Sequence, residues 1–151
     1  MKETGKAYKI TAWVLGIIVY LFIFGIVTKA YLFSNIYIDM EIPAKTVCKQ
    51  SVKQINLTIT LKNKTNGNID SEQNYFLSYH LMDLKGNIIK FDNMRTSLPV
   101  ITSGSSKDIQ MSVEVPQKSG EYQIEADVVK EGEFWYKDKG NKTSVGKLVV
   151  E

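Results

Sequence analysis

The chain of 151 residues is poor in the residues that build metal sites and many catalytic centres. It contains one cysteine, Cys48, and one histidine, His80. A single cysteine excludes an intramolecular disulfide, so the fold has to be held by its core. A nucleophilic His–Cys pair or a metal site needs such residues at short spacing, and the sequence also lacks a Gly-rich phosphate loop and an HExxH motif. We therefore expect no catalytic residues, no metal and no cofactor.

The chain also lacks a basic surface. The formal net charge is +3, and residues 1–29 account for all of it with four lysines against Glu3. The remaining residues carry 15 basic and 15 acidic side chains, which cancel. Nucleic-acid binding needs clustered Lys and Arg, because neutralised phosphates release counterions. The charge distribution therefore argues against a nucleic-acid partner.

One long hydrophobic run stands out near the N-terminus. Ile10 to Thr28 is an uncharged stretch of 19 residues, which as a helix would span about 28 Å, close to one hydrocarbon core. Trp13 near its start and Phe33 beyond its end are placed as interfacial aromatic residues prefer. We predict one transmembrane helix, Ile10 to Phe33. The alternative, a cleaved signal peptide, normally has a core of only about 7 to 15 residues.

The lysines around this run predict its orientation. Lys2, Lys6 and Lys9 crowd into a short tail, which favours a cytoplasmic N-terminus, residues 1–9. Lys29 and other lysines on the far side weaken this preference. We expect a single-pass protein of the cell membrane, a signal anchor whose C-terminal domain, residues 34–151, lies outside the cytoplasm in the cell envelope.

Beyond residue 34 the hydrophobic period becomes two, which is typical of half-buried strands. Apolar and polar residues alternate in about seven short segments, with turn signals such as Asn66-Gly67 and Gly140 to Lys142 roughly every ten residues. The clearest run is Ile55 to Leu61. No helical period of useful length follows the N-terminal run. The pattern predicts an all-β fold, an antiparallel sandwich of the seven-stranded immunoglobulin-like type preceded by one transmembrane helix.

Several local motifs resemble an immunoglobulin-like β-sandwich module of bacterial cell-envelope and surface-glycan proteins, often linked to glycosyltransferases. These motifs are Leu77-Ser78-Tyr79-His80 with Asp83-Leu84-Lys85-Gly86-Asn87, Arg95-Thr96-Ser97-Leu98-Pro99, Pro116 with Ser119-Gly120-Glu121-Tyr122, and Asp127 to Gly132 followed by Phe134-Trp135-Tyr136. The resemblance runs from Asn56 to Val150 and implies an accessory or binding role. Ser97, Ser103 and Ile69 depart from the pattern at turns and in one loop, which affects any inherited binding surface.

Three consecutive aromatic residues, Phe134, Trp135 and Tyr136, are the main binding candidate. Neighbouring strand residues point to opposite faces, so the three cannot all enter one core. An exposed Trp135 or Tyr136 could stack on a sugar ring or anchor a protein interface. The alternative is that Trp135 closes the end of the sandwich beneath the Arg95 to Pro99 loop. Tyr79 is a further candidate for binding.

Arg95, the only arginine in the chain, is both a binding and a structural candidate. It could clamp a carboxylate or phosphate with two hydrogen bonds, but such a residue more often pairs with a nearby carboxylate. We expect a structural pair between Arg95 and Glu131, with Asp127 as another possible partner. His80 alternates with the apolar residues of its strand, which predicts a solvent-facing residue or a hydrogen bond between loops.

Two functions remain open from the sequence. The first is a non-catalytic, membrane-anchored module that binds or helps to assemble cell-surface glycan, as the resemblance implies. The second is a small accessory or immunity-type subunit that docks onto a larger integral membrane protein complex. The Lys-, Ile- and Asn-rich composition favours a bacterial chain, so the three Asn-x-Thr sequons at Asn56, Asn63 and Asn141 are interpreted as incidental.

Overall fold

The computed structural model describes residues 15–25 and 37–151, which fall into two units, residues 1–35 and 36–151. In the first unit, helix α1 covers residues 15–25, and each of its residues is exposed. Within the two described ranges, no helix combines the length and the apolar character needed to cross a membrane. The predicted transmembrane segment, Ile10 to Phe33, lies outside the described residues except for α1.

The second unit is built almost entirely from strands. It also contains two 3₁₀ turns, Ser71–Gln73 and Lys137–Lys139. The strands are β1 (Ile38–Glu41), β2 (Lys45–Cys48), β3 (Gln54–Asn63), β4 (Tyr75–Met82), β5 (Ile88–Lys90), β6 (Thr96–Ser97), β7 (Ser106–Glu114), β8 (Gly120–Lys130), β9 (Phe134–Trp135) and β10 (Ser144–Val150).

These strands form two sheets. The smaller sheet has the order β1-β3-β7, and the larger has the order β2-β10-β8-β4-β5, with β6 added to β4 and β9 added to β8. The prediction of an all-β sandwich is confirmed. The described residues hold ten strands rather than the predicted seven, because short strands such as β6 and β9 carry too few residues for a period to be read.

One pairing in the larger sheet differs from the predicted antiparallel arrangement. Strand β2 pairs with β10 in parallel, with Lys45 opposite Lys147 and Cys48 opposite Val150. Gly146 allows the chain just before β2 to approach β10, because a Cβ at this position would collide with the carbonyl oxygen of Pro43. No hydrophobic period marks β2 in the sequence, because its exposed and half-buried residues alternate without any buried apolar position.

The core lies between the two sheets and follows from the alternation in the longest strands. On the smaller sheet, every second residue of β3 and β7 is buried, as Ile59 and Met111 illustrate. From the larger sheet, Leu77 on β4, Ile124 on β8 and Leu148 on β10 meet them. Because side chains on a strand point alternately to opposite faces, one apolar face per sheet is enough to build this core.

Two of the three sequon asparagines are buried and hold the chain together. Asn63 donates from Nδ2 to the carbonyl oxygens of Gly67 and Ile101. Asn141 uses both ends of its amide on one residue, accepting from the N–H of Ile38 at 2.8 Å and donating to its carbonyl oxygen at 2.9 Å. Both side chains therefore join segments of main chain that are distant in sequence.

The central strands of the larger sheet are buried on both faces. In β4, the residues from Leu77 to Met82 are all buried, and β8 is buried from Ile124 to Val129. Packing against the smaller sheet explains why the side chains on one face are buried. The other face, which we call the outer face, carries Ser78, His80 and Asp127. The turn that follows β5, together with β9 and the 3₁₀ turn after it, covers this face and forms the candidate site.

Candidate binding site on the outer face of the larger sheet

The β8–β9 hairpin brings the aromatic residues to the outer face. Gly132 adopts a φ of 78° in the connecting turn, a conformation that favours glycine. The hairpin sets Trp135 opposite Val129 and Phe134 opposite Lys130. The main-chain N–H of Tyr136 then donates to Val128 at 2.9 Å, which continues the register by one residue.

The three aromatic side chains divide between the two faces of the sheet. Tyr136 is buried in the core, and its ring lies 5.3 Å from that of Phe134, which packs against the core from its edge. Burial raises the pKa of the Tyr136 hydroxyl, and Tyr75 nearby raises it further. Trp135 instead lies on the outer face, with its ring 4.6 Å from His80 and 5.5 Å from Phe91.

Arg95 lies over Trp135 and is held by several acceptors. Its Nε donates to Glu131 at 2.7 Å, and its Nη1 donates to Asp92 at 2.5 Å and to the carbonyl oxygen of Asn93 at 2.8 Å. The guanidinium carbon is 4.9 Å from the centre of the Trp135 ring, within cation–π distance. Arg95 thus covers the indole face that a sugar ring would need for stacking.

Tyr79, like Tyr136, is a predicted site residue that the structure places in the core and not in this cluster. It points into the core with 1% of its surface exposed, and its hydroxyl accepts the main-chain N–H of Glu114 at 2.9 Å. Desolvation by burial raises the pKa of this hydroxyl. Its ring connects the two sheets and is not accessible to a ligand.

The outer face contains a pair that the sequence did not indicate, His80 and Asp127. Both side chains are fully buried, so the prediction that His80 faces solvent is wrong, whereas its hydrogen bond to the Phe91 carbonyl oxygen fits the other alternative. The alternation of β4 placed His80 on the correct face. It could not indicate burial, because the covering residues come from distant parts of the chain.

A shallow cleft of about 340 Å³ opens beside Arg95 and Trp135. Its charged lining residues are Asp92, Arg95, Lys130, Glu131, Glu133 and Asp138. Two of the four carboxylates already bind Arg95, and Glu133 binds Lys130. Its chemistry suits a polar, uncharged ligand better than an anion.

A second surface lies at the edge of the same sheet. Five large apolar side chains between residues 84 and 94 are exposed, and we call this group the β5 patch. Its members are Leu84, Ile88, Ile89, Phe91 and Met94. Strand β5 pairs with β4 on one side and has no strand on its other side among the described residues. The sequence pattern predicts a hairpin in this segment and does not indicate an exposed apolar surface.

A groove of about 910 Å³ adjoins the β5 patch at one end of the sandwich. Its apolar lining includes Leu81, Val115 and Pro116. A salt bridge of 2.7 Å between Lys90 and Glu114 borders it and links the two sheets. The groove therefore places a concave surface of mixed polarity beside β5.

The described part of the chain, residues 15–25 and 37–151, contains no group of three or more His, Cys, Asp or Glu side chains that could hold a metal ion. Cys48 on β2 is half-buried, and burial raises the pKa of its thiol.

Comparisons with known proteins found no matching family model and no matching curated protein. Among solved structures, the chain is similar to a CARDB domain from Pyrococcus furiosus, determined in complex with di-metal ions, at 16% identity and a TM-score of 0.44 over 76% of this chain and 86% of that one. The chain is also similar to the chaperone DraB of E. coli, at 11% identity and a TM-score of 0.42 over 76% of this chain and 55% of that one. The class of this protein, an all-β two-sheet sandwich, is defined by its own sheets.

Proposed function

We propose that the chain is a non-catalytic accessory module that is anchored in the cell membrane and docks through the β5 patch onto a larger membrane protein complex. The observation that carries the proposal is the exposure of five large apolar side chains along one sheet edge. Several large apolar side chains exposed within one short segment of a small domain are typical of interaction sites.

The chemistry of the edge favours an extended strand as the segment that binds. A sheet edge offers unpaired main-chain N–H and C=O groups, which proteins normally protect with charges, bulges or covering loops. Strand β5 carries two exposed isoleucines, and its one lysine, Lys90, is engaged by Glu114. A partner strand would satisfy the edge by hydrogen bonds and cover the isoleucines at the same time.

The anchor is supported by the hydrophobic run of residues 10–28 and by α1 within it. A helix of exposed Leu, Ile, Val and Phe side chains suits a lipid surrounding, since each buried methylene is stabilised by about 0.8 kcal/mol. Resistance of the full chain to alkaline extraction from membranes would support the anchor. Release into the soluble fraction would contradict it.

Site-specific photocrosslinking tests the docking surface. A photoreactive amino acid is placed at Ile89 in the β5 patch and, as the matched control, at Val145 on β10. Both are aliphatic residues on the larger sheet with similar exposure, 54% and 46%, and β8 and β4 separate their strands. We expect one discrete crosslinked partner from position 89 in intact cells and none from position 145.

Charged substitutions give the corresponding affinity test. Ile89→Lys should weaken co-purification of that partner at least about 30-fold, the effect of a central apolar contact worth about 2 kcal/mol. Val145→Lys should leave it unchanged. Equal crosslinking from both positions, or equal effects of both substitutions, would contradict docking through the β5 patch.

Glycan binding is a second candidate, favoured by the cleft that four carboxylates line together with Arg95 and Trp135. Titration of envelope polysaccharide into the full chain, followed by tryptophan fluorescence, tests it. We expect a saturable response that is lost when Glu133, which does not bind Arg95, is replaced by glutamine. No response at millimolar sugar would exclude direct binding.

A further inference from the structure

The only histidine of the chain lies in a closed aromatic environment on the outer face. The ring of His80 stacks on Phe91 at 4.4 Å between centroids and lies 4.6 Å from Trp135. No part of its side chain is exposed. Phe91 belongs to the β5 patch, so the imidazole directly supports one member of the proposed docking surface.

Both ring nitrogens of His80 face oxygen acceptors. Nδ1 is 2.5 Å from the carbonyl oxygen of Phe91, and Nε2 is 3.6 Å from a carboxylate oxygen of Asp127. Nε2 is buried and has no hydrogen-bond partner among the described residues. A carbonyl oxygen only accepts, so Nδ1 has to carry a proton. In a neutral ring, Nε2 would then present its lone pair to a carboxylate, and two acceptors would face each other.

The opposite neutral tautomer does not remove the conflict. With the proton on Nε2, the lone pair of Nδ1 would face the Phe91 carbonyl oxygen at 2.5 Å. A doubly protonated imidazolium is the one form that donates towards both oxygens, and its charge is opposite to that of Asp127.

The other charged groups around His80 are paired among themselves. On β8, Glu125 accepts from Lys137 of the 3₁₀ turn and from Thr143. In the turn after β5, Arg95 is shared between Asp92 and Glu131 of the β8–β9 turn. The charge around the imidazole is therefore negative, and Asp127 at 3.6 Å faces the ring directly.

The electrostatics agree with the geometry. Burial by itself lowers the pKa of His80, but the nearby Asp127 carboxylate, the Phe91 carbonyl oxygen and the charge of Glu125 raise it more. The result is a pKa above the ordinary value for histidine.

We propose that His80 is an imidazolium at neutral pH and that its pairing with Asp127 and the Phe91 carbonyl forms a pH-dependent latch that holds the β5 patch in its docking conformation. Loss of the proton at alkaline pH would leave an acceptor facing the carboxylate and weaken the attachment of the Phe91 turn to β4. The regulatory part rests on the proposed docking function, whereas the charge state of His80 does not.

Nitrogen NMR of the full chain, labelled with ¹⁵N-histidine, tests the charge state. One histidine gives one imidazole, so its two nitrogen shifts report its protonation without assignment of other residues. We expect both nitrogens to be protonated at neutral pH and one to deprotonate only at alkaline pH. Detection of a neutral tautomer at pH 7 would overturn the proposal.

The coupling to docking has its own readout. Once crosslinking from position 89 has identified the partner, its affinity for the chain without the crosslinker is measured as a function of pH. We expect this affinity to fall at least about tenfold as the pH rises through the measured His80 transition. Asp127→Asn should shift the His80 transition to lower pH and move the loss of affinity with it. An affinity that does not follow the His80 transition would overturn the latch. Absence of any crosslinked partner would refute the docking function, while the nitrogen shifts would still decide the charge state.

Discussion

Asn141 provides the sharpest test of how the sandwich is held together. The substitution Asn141→Ala removes a buried amide whose two ends bind the main chain of Ile38 at 2.8 and 2.9 Å. The amide also donates to the carbonyl oxygen of Lys142 at 3.0 Å. Asn141 therefore attaches β1, the first strand of the smaller sheet, to the loop before β10 in the larger sheet.

The expected cost follows from the groups left without partners. Ile38 is 1% exposed, so water does not readily replace the lost amide at its N–H and C=O groups. A buried polar group left unsatisfied costs about 1–3 kcal/mol. With two such groups, and some relaxation of the loop, we expect Asn141→Ala to lower the free energy of unfolding by about 2–4 kcal/mol.

Urea unfolding of the full chain, followed by circular dichroism, measures this cost. Asn56→Ala is the matched control, because Asn56 is exposed and its side chain accepts only from Ser112 at 3.1 Å. We expect the control to change stability by less than about 0.5 kcal/mol. If the two variants unfold at the same urea concentration, Asn141 does not bridge the sheets as described.

Three further predictions concern the glycine contact, the histidine and the core tyrosine. Gly146→Ala should cost about 1–3 kcal/mol in thermal unfolding, because its Cβ would collide with Pro43, whereas Gly67→Ala has open space. Folding raises the pKa of His80, so the stabilisation of the folded state by the protonated ring is complete below about pH 6.5 and is lost as the pH rises through the folded pKa. The urea midpoint of the wild-type chain should therefore fall over that pH range. The midpoint of His80→Gln should fall less. Tyr79→Phe should lower the free energy of unfolding in urea by about 1–2 kcal/mol, because the main-chain N–H of Glu114 on β7 loses its acceptor. An unchanged urea midpoint would contradict the hydrogen bond between them.

The sequence predicted the strands wherever one face is apolar and the other polar. Strand β3 shows this best, since Leu57, Ile59 and Leu61 alternate with polar residues and are all buried. The pattern failed for β2, which joins the larger sheet through main-chain pairing with β10 and buries few side chains of its own. Parallel pairing between the two distant segments leaves no local signal in either.

The candidate site was only partly visible in the same way. The alternation of side chains along a strand predicted that Trp135 lies on the opposite face from Phe134 and Tyr136. Arg95 was a candidate because it is the only arginine in the sequence. The β5 patch remained hidden because Ile88 and Ile89 resemble core residues in sequence, and only the sheet order reveals that β5 is an edge.

The features that could be predicted from the sequence are therefore local. They are the scarcity of reactive residues, the neutral charge after residue 29, the apolar run near the N-terminus and the strands with one apolar face. These depend on composition and on a period of two, which neighbouring residues set. The contact of His80 with Asp127 and that of Arg95 with Trp135 form only when the strands assemble into the folded domain. Such contacts join residues 40 or more positions apart, and their energies depend on burial that no local pattern encodes.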